Sequence, residues 1–450
     1  MRNLAMHLWL TLDKHQDVAA MVEVDGAGAT VQITFKELMR DTTACAMALL
    51  ERGLEPGARI GLAARSPRAW LTLACGAWLA GACLVPLPAG RGRRDILRRC
   101  ARSGAEWIVV TDRDELDEIR GQGDKLPPNI QWIVLDGAEL PRADTITSYQ
   151  ELVEKGRHRR VRGGFEQLKK RAFGTALHQP SLIVFEPQPE DDPHGAFFTG
   201  EALGTMLTNL GADLLYQQGD RLACLLDFGW YQGLLMTLAT LLEGKTVACA
   251  ASPRALSELL SAASPTHILA RPAFLEAQAA SWQQKLEEAP EFLRQIAEGE
   301  STSQRFSFHR VLSAVGERAA QRALYEPIQQ SLGTELRGVY VVGGTLPDDV
   351  HEVLERLHVA ILGMWGLPEA GITHLERLGA QRRNSVGRPI QGTVCVLEGA
   401  KGEEPGQVLL KSDTLYSGYW DQEGPRSIQD GWLHTGVEGV VRSGFLSFDV

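Results

Sequence analysis

The sequence has no C-x-x-C pair, no tight Cys/His cluster, no surplus of basic residues, no internal repeat and no low-complexity tract. Its seven cysteines, at 45, 75, 83, 100, 224, 249 and 395, form an odd and scattered set. That pattern argues against a disulfide framework or a zinc site and for a reduced, cytoplasmic setting. With 46 basic against 56 acidic residues the formal charge is -10, so the chain as a whole has no attraction for nucleic acid or anionic lipid. The N-terminus reaches Asp13 and Lys14 without a long apolar region or a cleavage signal, so no secretion signal is read. The charge-free stretch from Trp70 to Pro88 could imitate a membrane span, but Gly81, Pro86 and Pro88 interrupt it. It reads as a buried helix, a glycine stop and a buried strand, and no transmembrane segment is expected.

What is present is material for a large core: 450 residues, 44% of them hydrophobic, enough for about two or three compact units. Thr34 and Glu37 have capping-box spacing, and Leu38, Thr42, Cys45 and Leu49 follow at helical intervals as far as Gly53. Strands are read near 60–63, 83–86, 107–110 and 132–135, with Ser66-Pro67 opening one helix between them and another helix over 95–103. Alternating βα units with continuous apolar strands predict neighbouring parallel strands in a sheet covered by helices on both faces. The basic stretch 157–164 reads as a connection, a second βα region follows, and short strands dominate after Arg388. The expected division is a first α/β subdomain over 1–175, a second with a helical insert over 176–385, and a small β-rich part over 386–450.

Seven segments stand out in order along the chain: Ile33-Thr34-Phe35-Lys36-Glu37-Leu38, Gly53 to Ile60, Ala80 to Leu87, Gly343-Gly344-Thr345-Leu346-Pro347, Trp365-Gly366-Leu367-Pro368-Glu369, Asn384 to Pro389, and Asp430 to Gly436. Together they resemble the adenylate-forming (AMP-binding) superfamily, which includes acyl-CoA synthetases and luciferases. Pro265-Thr266-His267-Ile268 and Arg271-Pro272-Ala273-Phe274 look most like the long-chain fatty acyl branch. The resemblance implies the large N-terminal domain of such an enzyme. It also implies a nucleotide site at Gly343, Gly344, Thr345, Trp365 and Gly366, an acyl pocket at Phe228, Gly229, Trp230 and Tyr231, and Glu369 as magnesium ligand and catalytic residue if the chain is active. ATP or AMP with magnesium would be the cofactors.

The family's phosphate loop has the form T-S-G-T-T-G-x-P-K-G before an apolar pair and T-H. The stretch Phe198-Thr199-Gly200-Glu201 to Asn209 reads as a shortened version, in which Thr199 and Gly200 could still touch nucleotide but no lysine remains and Glu201 opposes phosphate. Val437 stands where the T-G-D motif has its ribose-binding aspartate, and Pro368 replaces a threonine. The sequence stops about where the family's hinge begins, so the small C-terminal lid domain with its catalytic lysine is expected to be absent. The expected function is therefore a degenerate acyl-CoA synthetase homologue that binds an acyl or adenylate-like ligand, or a partner, with little or no adenylation. The alternative is an active ATP-dependent ligase whose C-terminal domain is truncated or supplied by another chain. An acyl carrier protein or partner enzyme is the expected protein partner, and nucleic acid is excluded.

Blander readings stand beside these. Aromatics before an apolar helix, as at Phe228, are often plain core. His351 and His358, seven apart, read as surface histidines without a third ligand. Arg91, Arg93, Arg94, Arg98, Arg99 and Arg102 read as a solvated face, or as one turned to an anionic partner.

Overall fold

The computed structural model describes residues 3–448 apart from 25–27, 122–125, 128, 138, 187–192, 251, 292–318, 320–321, 401, 403 and 421–425. The capping box forms as read: the Thr34 hydroxyl accepts from the Glu37 amide at 3.2 Å and the Glu37 carboxylate accepts from the Thr34 amide at 2.8 Å. Between them they satisfy donors that the start of helix Phe35–Glu51 would otherwise orphan. Ser66 caps helix Pro67–Leu79 with proline at its first turn, Gly81 takes a left-handed φ of 83°, and strand Cys83–Pro86 follows fully buried. The apolar stretch is therefore core. Among the described residues no helix is long and apolar enough to cross a membrane.

Arg59–Leu62 pairs in parallel with Cys83–Pro86 on one side and Trp107–Val110 on the other. The seven-stranded first sheet continues through Gln131–Val134 to Ile146–Ser148, and at its other end through Pro180–Phe185 to the antiparallel Gly195–Thr199. The nine-stranded second sheet holds parallel strands Thr246–Ala250, Arg221–Cys224, His267–Ala270, Gly338–Val342 and Ala360–Leu367. The N-terminal hairpin Ala19–Val24 and Thr30–Thr34 joins this second sheet beside Thr246–Ala250, and the first sheet takes strands beyond residue 175. Both sheets thus interleave along the chain. A small antiparallel sheet, Thr393–Glu398, Gly406–Ser412, Ser427–Gln429, Trp432–Arg442 and Phe445–Ser447, completes the fold.

Helices Leu4–Lys14, Phe35–Glu51, Pro67–Leu79, Gly200–Leu214 and Tyr231–Leu242 share one core with the inner faces of both large sheets. Separate apolar clusters cover the outer faces, so the layers run helix, sheet, helix, sheet, helix. One expectation fails: 157–164 is not an open connection but lies within a helical run, Tyr149–Arg159 continuing through a π-helical segment Arg160–Gly164 into Phe165–Gly174. Its buried face is small and spaced, Leu152, Val153, Gly156 and then Leu168 and Ala172, and the cations around it hide that face in the sequence. Gly156 permits the close packing, since a Cβ there would lie 1.8 Å from the Ala44 carbonyl oxygen.

Candidate functional site

Parallel pairing sets Val342 opposite Met364, so Gly343, just past the end of its strand, lies beside Trp365 in the neighbouring strand Ala360–Leu367. There they wall a cavity of about 540 Å³, together with Gly344, Thr345, Asn384, Ser385 and Phe448. Gly343 has φ of 85°, a conformation that glycine adopts without steric cost. Trp365 is held at a tilt by His374 and Phe448, at ring-centroid distances of 5.5 and 5.1 Å. Glu376 is buried on the same cavity and accepts from the amides of Gly363 at 2.9 Å and Arg382 at 2.7 Å. Burial outweighs those donors and pushes its carboxyl up to about 7. His351 also lines this cavity and is only 7% exposed, while His358 is exposed with φ of 57° after helix Asp348–Arg356 has ended. The two histidines therefore do not form one surface face; the apolar Val350, Val353 and Leu354 turn His351 inward.

A second cavity of about 410 Å³ shares Gly343, Met364 and Trp365 with the first and adds Gly366, Pro368, Tyr231, Arg271, Glu186 and Arg426. It opens at the carboxyl ends of the adjacent parallel strands His267–Ala270, Gly338–Val342 and Ala360–Leu367, the end of such sheets where ligands usually bind. The four aromatic-segment residues do not form one wall. Tyr231 faces this cavity, whereas Phe228 lines a separate one of about 310 Å³ with Trp70 and Arg65. Gly229 is pressed on the backbone of Leu87 and Pro88, and Trp230 lies under the Arg271 guanidinium at 4.8 Å.

Glu369 follows strand Ala360–Leu367 and is 0% exposed. Its Oε1 accepts from the Tyr419 hydroxyl at 2.6 Å and from Arg426 Nη1 at 2.9 Å. The same Nη1 donates to Glu186 Oε1. Arg426 Nε donates to the Thr435 carbonyl at 3.1 Å, so the T-G-V segment braces the arginine. Burial by itself would lower the Arg426 guanidinium, but the charges of Glu369 and Glu186 prevail and raise it. Burial and the Glu369 charge raise the Tyr419 phenol, which keeps it a donor. Glu369 Oε2 is buried and without a hydrogen-bond partner, a feature that suits a metal. A divalent ion there would face the guanidinium, and at ~4 Å with an effective dielectric near 20 the two repel by on the order of 8 kcal/mol. The residues present therefore do not fit magnesium while Arg426 holds its position. Among the described residues no group of three or more His, Cys, Asp or Glu side chains could hold a metal.

The segment read as a phosphate loop is not a loop. Thr199 ends a strand and caps helix Gly200–Leu214, its hydroxyl accepting from the Ala202 amide at 3.2 Å. Leu203, Met206, Leu207 and Leu210 then bury one helical face. Thr199 and Gly200 line neither shared cavity. Glu201 sits in the helix's first turn, where a carboxylate is favourable, with His178 Nδ1 at 3.3 Å. The hairpin connection at this corner is 186–194, which begins at Glu186 and carries Glu190, Asp191 and Asp192 with neither lysine nor arginine.

Sequence reasoning missed Glu186, Arg426, Tyr419, Arg271 and Glu376. The findable signal was Pro193-His194-Gly195 followed by Ala196, Phe197, Phe198 and Thr199, which repeats the P-x-G, apolar, threonine spacing of the family loop. Arg99, read as solvated, is 2% exposed, pairs with Asp95 at 2.9 Å and donates to the Glu186 carbonyl at 2.9 Å. It thereby fixes the backbone of a site residue.

Comparison with known proteins shows the family and the fold. Residues 8–420 match the family described as AMP-binding enzyme. The chain is 20% identical over 472 residues to the long-chain-fatty-acid–CoA ligase FadD15 of Mycobacterium bovis and to that of Mycobacterium tuberculosis, covering 99% of this chain and 76% of each relative. Among solved structures, the N-terminal domain of FACL13 from Mycobacterium tuberculosis superposes with a TM-score of 0.69 at 17% identity, covering 100% of both chains. VinN gives 0.71 at 18%, covering 100% of this chain and 98% of VinN. The anthranilate CoA ligase AuaEII, in complex with anthranoyl-AMP, gives 0.74 at 19%, covering 99% of this chain and 77% of the ligase. At these identities the superpositions show the fold.

Proposed function

The chain belongs to the AMP-binding enzyme family, and from that premise we propose that it is a binding member of it, one that holds an acyl or adenylate-like small molecule with little or no adenylation. The observation that carries this reading is Arg426 Nη1 on Glu369 Oε1 at 2.9 Å, a protein cation at the carboxylate that the resemblance assigns to magnesium. By sequence the connection 186–194 takes the part of the phosphate loop in this reading, with His194 in the lysine position of P-K-G and Glu190, Asp191 and Asp192 adding negative charge where the family has hydroxyls and glycines. That added charge disfavours triphosphate. Val437 offers no acceptor to a ribose and Pro368 no hydroxyl. Each missing positioned group commonly costs about 10²- to 10³-fold in rate, and several together approach silence even without full additivity. Free thiols at all seven cysteines support a reduced, cytoplasmic setting. A carrier protein or partner enzyme presenting an acyl group is the macromolecular partner in this reading.

The second reading is an active ligase that works with a C-terminal domain carried further along a longer chain or by another chain. It is favoured by the relatives, which are named as CoA ligases and of which this chain spans 76%. Carboxylate-dependent pyrophosphate exchange separates the two. With fatty or aromatic acids, and with candidate C-terminal domains and carrier proteins added in trans, no exchange above background is expected. Robust exchange in any arm replaces the first reading with the second.

A further inference from the structure

Glu369 and Glu186 reach one point from two different sheets. Glu186 directly follows strand Pro180–Phe185 of the first sheet, where Arg99 holds its carbonyl, and Glu369 follows strand Ala360–Leu367 of the second. Their Oε1 atoms both accept from a single nitrogen, Arg426 Nη1, supplied by the segment that leads into strand Ser427–Gln429 of the small sheet. The Tyr419 hydroxyl, 2.6 Å from Glu369 Oε1, lies at the same place. Two carboxylate oxygens with a hydroxyl beside them, and a spare carboxylate oxygen at Glu369 Oε2, are the hard-oxygen set that a small divalent ion accepts when water completes its shell.

We propose that Arg426 is a resident cation standing in for a divalent metal, and that it masks a latent two-carboxylate metal site while tying the three sheets together at the second cavity. This rests on the binding reading above and deepens it, since ligand would then be taken without metal. The charge count supports it. With Arg426 present the two carboxylates are bridged by one shared guanidinium; with Arg426 neutralised the two converging carboxylates lose the ion-pair partner they share among the described residues. A metal would relieve what the arginine now relieves.

The probe is manganese alone, followed by paramagnetic resonance and by thermal stability, on the whole chain. The wild type is expected to show no saturable manganese binding in the micromolar range. Arg426→Gln, which keeps a donor and volume but no charge, is expected to bind at least tenfold more tightly than wild type and to be stabilised by the ion. Arg426→Gln combined with Glu369→Gln should lose that gain. A variant that needs manganese to fold supports the proposal in the same way. Saturable micromolar binding by the wild type overturns it, as does a folded Arg426→Gln chain whose manganese binding matches wild type. Because no nucleotide or acid is present, this result is independent of pyrophosphate exchange: an active ligase without the metal gain, or a silent chain with it, tells the two claims apart.

Discussion

The two sides of Trp365 have kept different things. On the Gly343–Gly344 side the strand ends, the left-handed glycine and a cavity of about 540 Å³ leave room for a flat ligand. On the Glu369 side the carboxylate that the resemblance assigns to magnesium accepts from the protein's own Arg426, and the adjoining connection is acidic in sequence. In the proposed reading, shape is kept where backbone conformation makes it, and charge handling is given up where it depends on a few side chains. An adenylating enzyme needs both; a binder needs the first.

The largest expected effect breaks the filled side. Arg426→Ala leaves the Glu369 carboxylate buried without its ion-pair partner, among the described residues only the Tyr419 hydroxyl still donating to it, and should cost about 3–5 kcal/mol in denaturant unfolding without metal. Adding Glu369→Gln should recover part of that loss, by a coupling of about 0.5–3 kcal/mol. Equal and additive losses would mean that the pair does not act as a unit.

On the open side Glu376 is the next lever. Its carboxyl is raised to about 7 by burial, so the folded state holds this proton more tightly than the unfolded state. The stability it contributes is fully present below about pH 4.5 and is lost as the pH rises through about 7. Glu376→Gln should remove this dependence, a difference of up to about 3 kcal/mol between pH 5 and pH 8 read as the slope of Tm against pH. Parallel slopes for the two proteins would argue against it.

Smaller effects sharpen the contrast. Trp365→Ala should weaken adenosine-like ligands by about 10-fold, or about 1.4 kcal/mol, measured calorimetrically. Val437→Asp should leave pyrophosphate exchange at background, because a restored ribose acceptor does not remove Arg426 or the acidic connection. Activity in that variant alone would place the defect at Val437.

Much of the fold was legible because it is written locally. The Thr34–Glu37 box, the Ser66-Pro67 start and the apolar strands at 60, 84 and 108 each carry their own signal within a few residues. Gly343 and Trp365 were legible as motif positions. The Thr199-Gly200 reading was not, because these residues copy a loop's composition while capping a helix, and the adjacent hairpin is fixed by pairing Leu182 with Phe198, far from any local loop signal. The Arg426 cluster was hidden for a different reason. Its members lie 57 and 240 residues apart in sequence, and nothing near Arg426 marks it as more than one arginine among many. His351 turned inward for the same kind of reason, since only the packing of its helix decides which face a histidine takes.

The most direct measurement is calorimetry of adenosine and of ATP, each with and without magnesium, on the unmodified chain. Retained shape with displaced charge handling requires adenosine to bind at least as tightly as ATP, with magnesium making no difference to either. Micromolar ATP binding that exceeds adenosine and disappears on chelation of magnesium would contradict it.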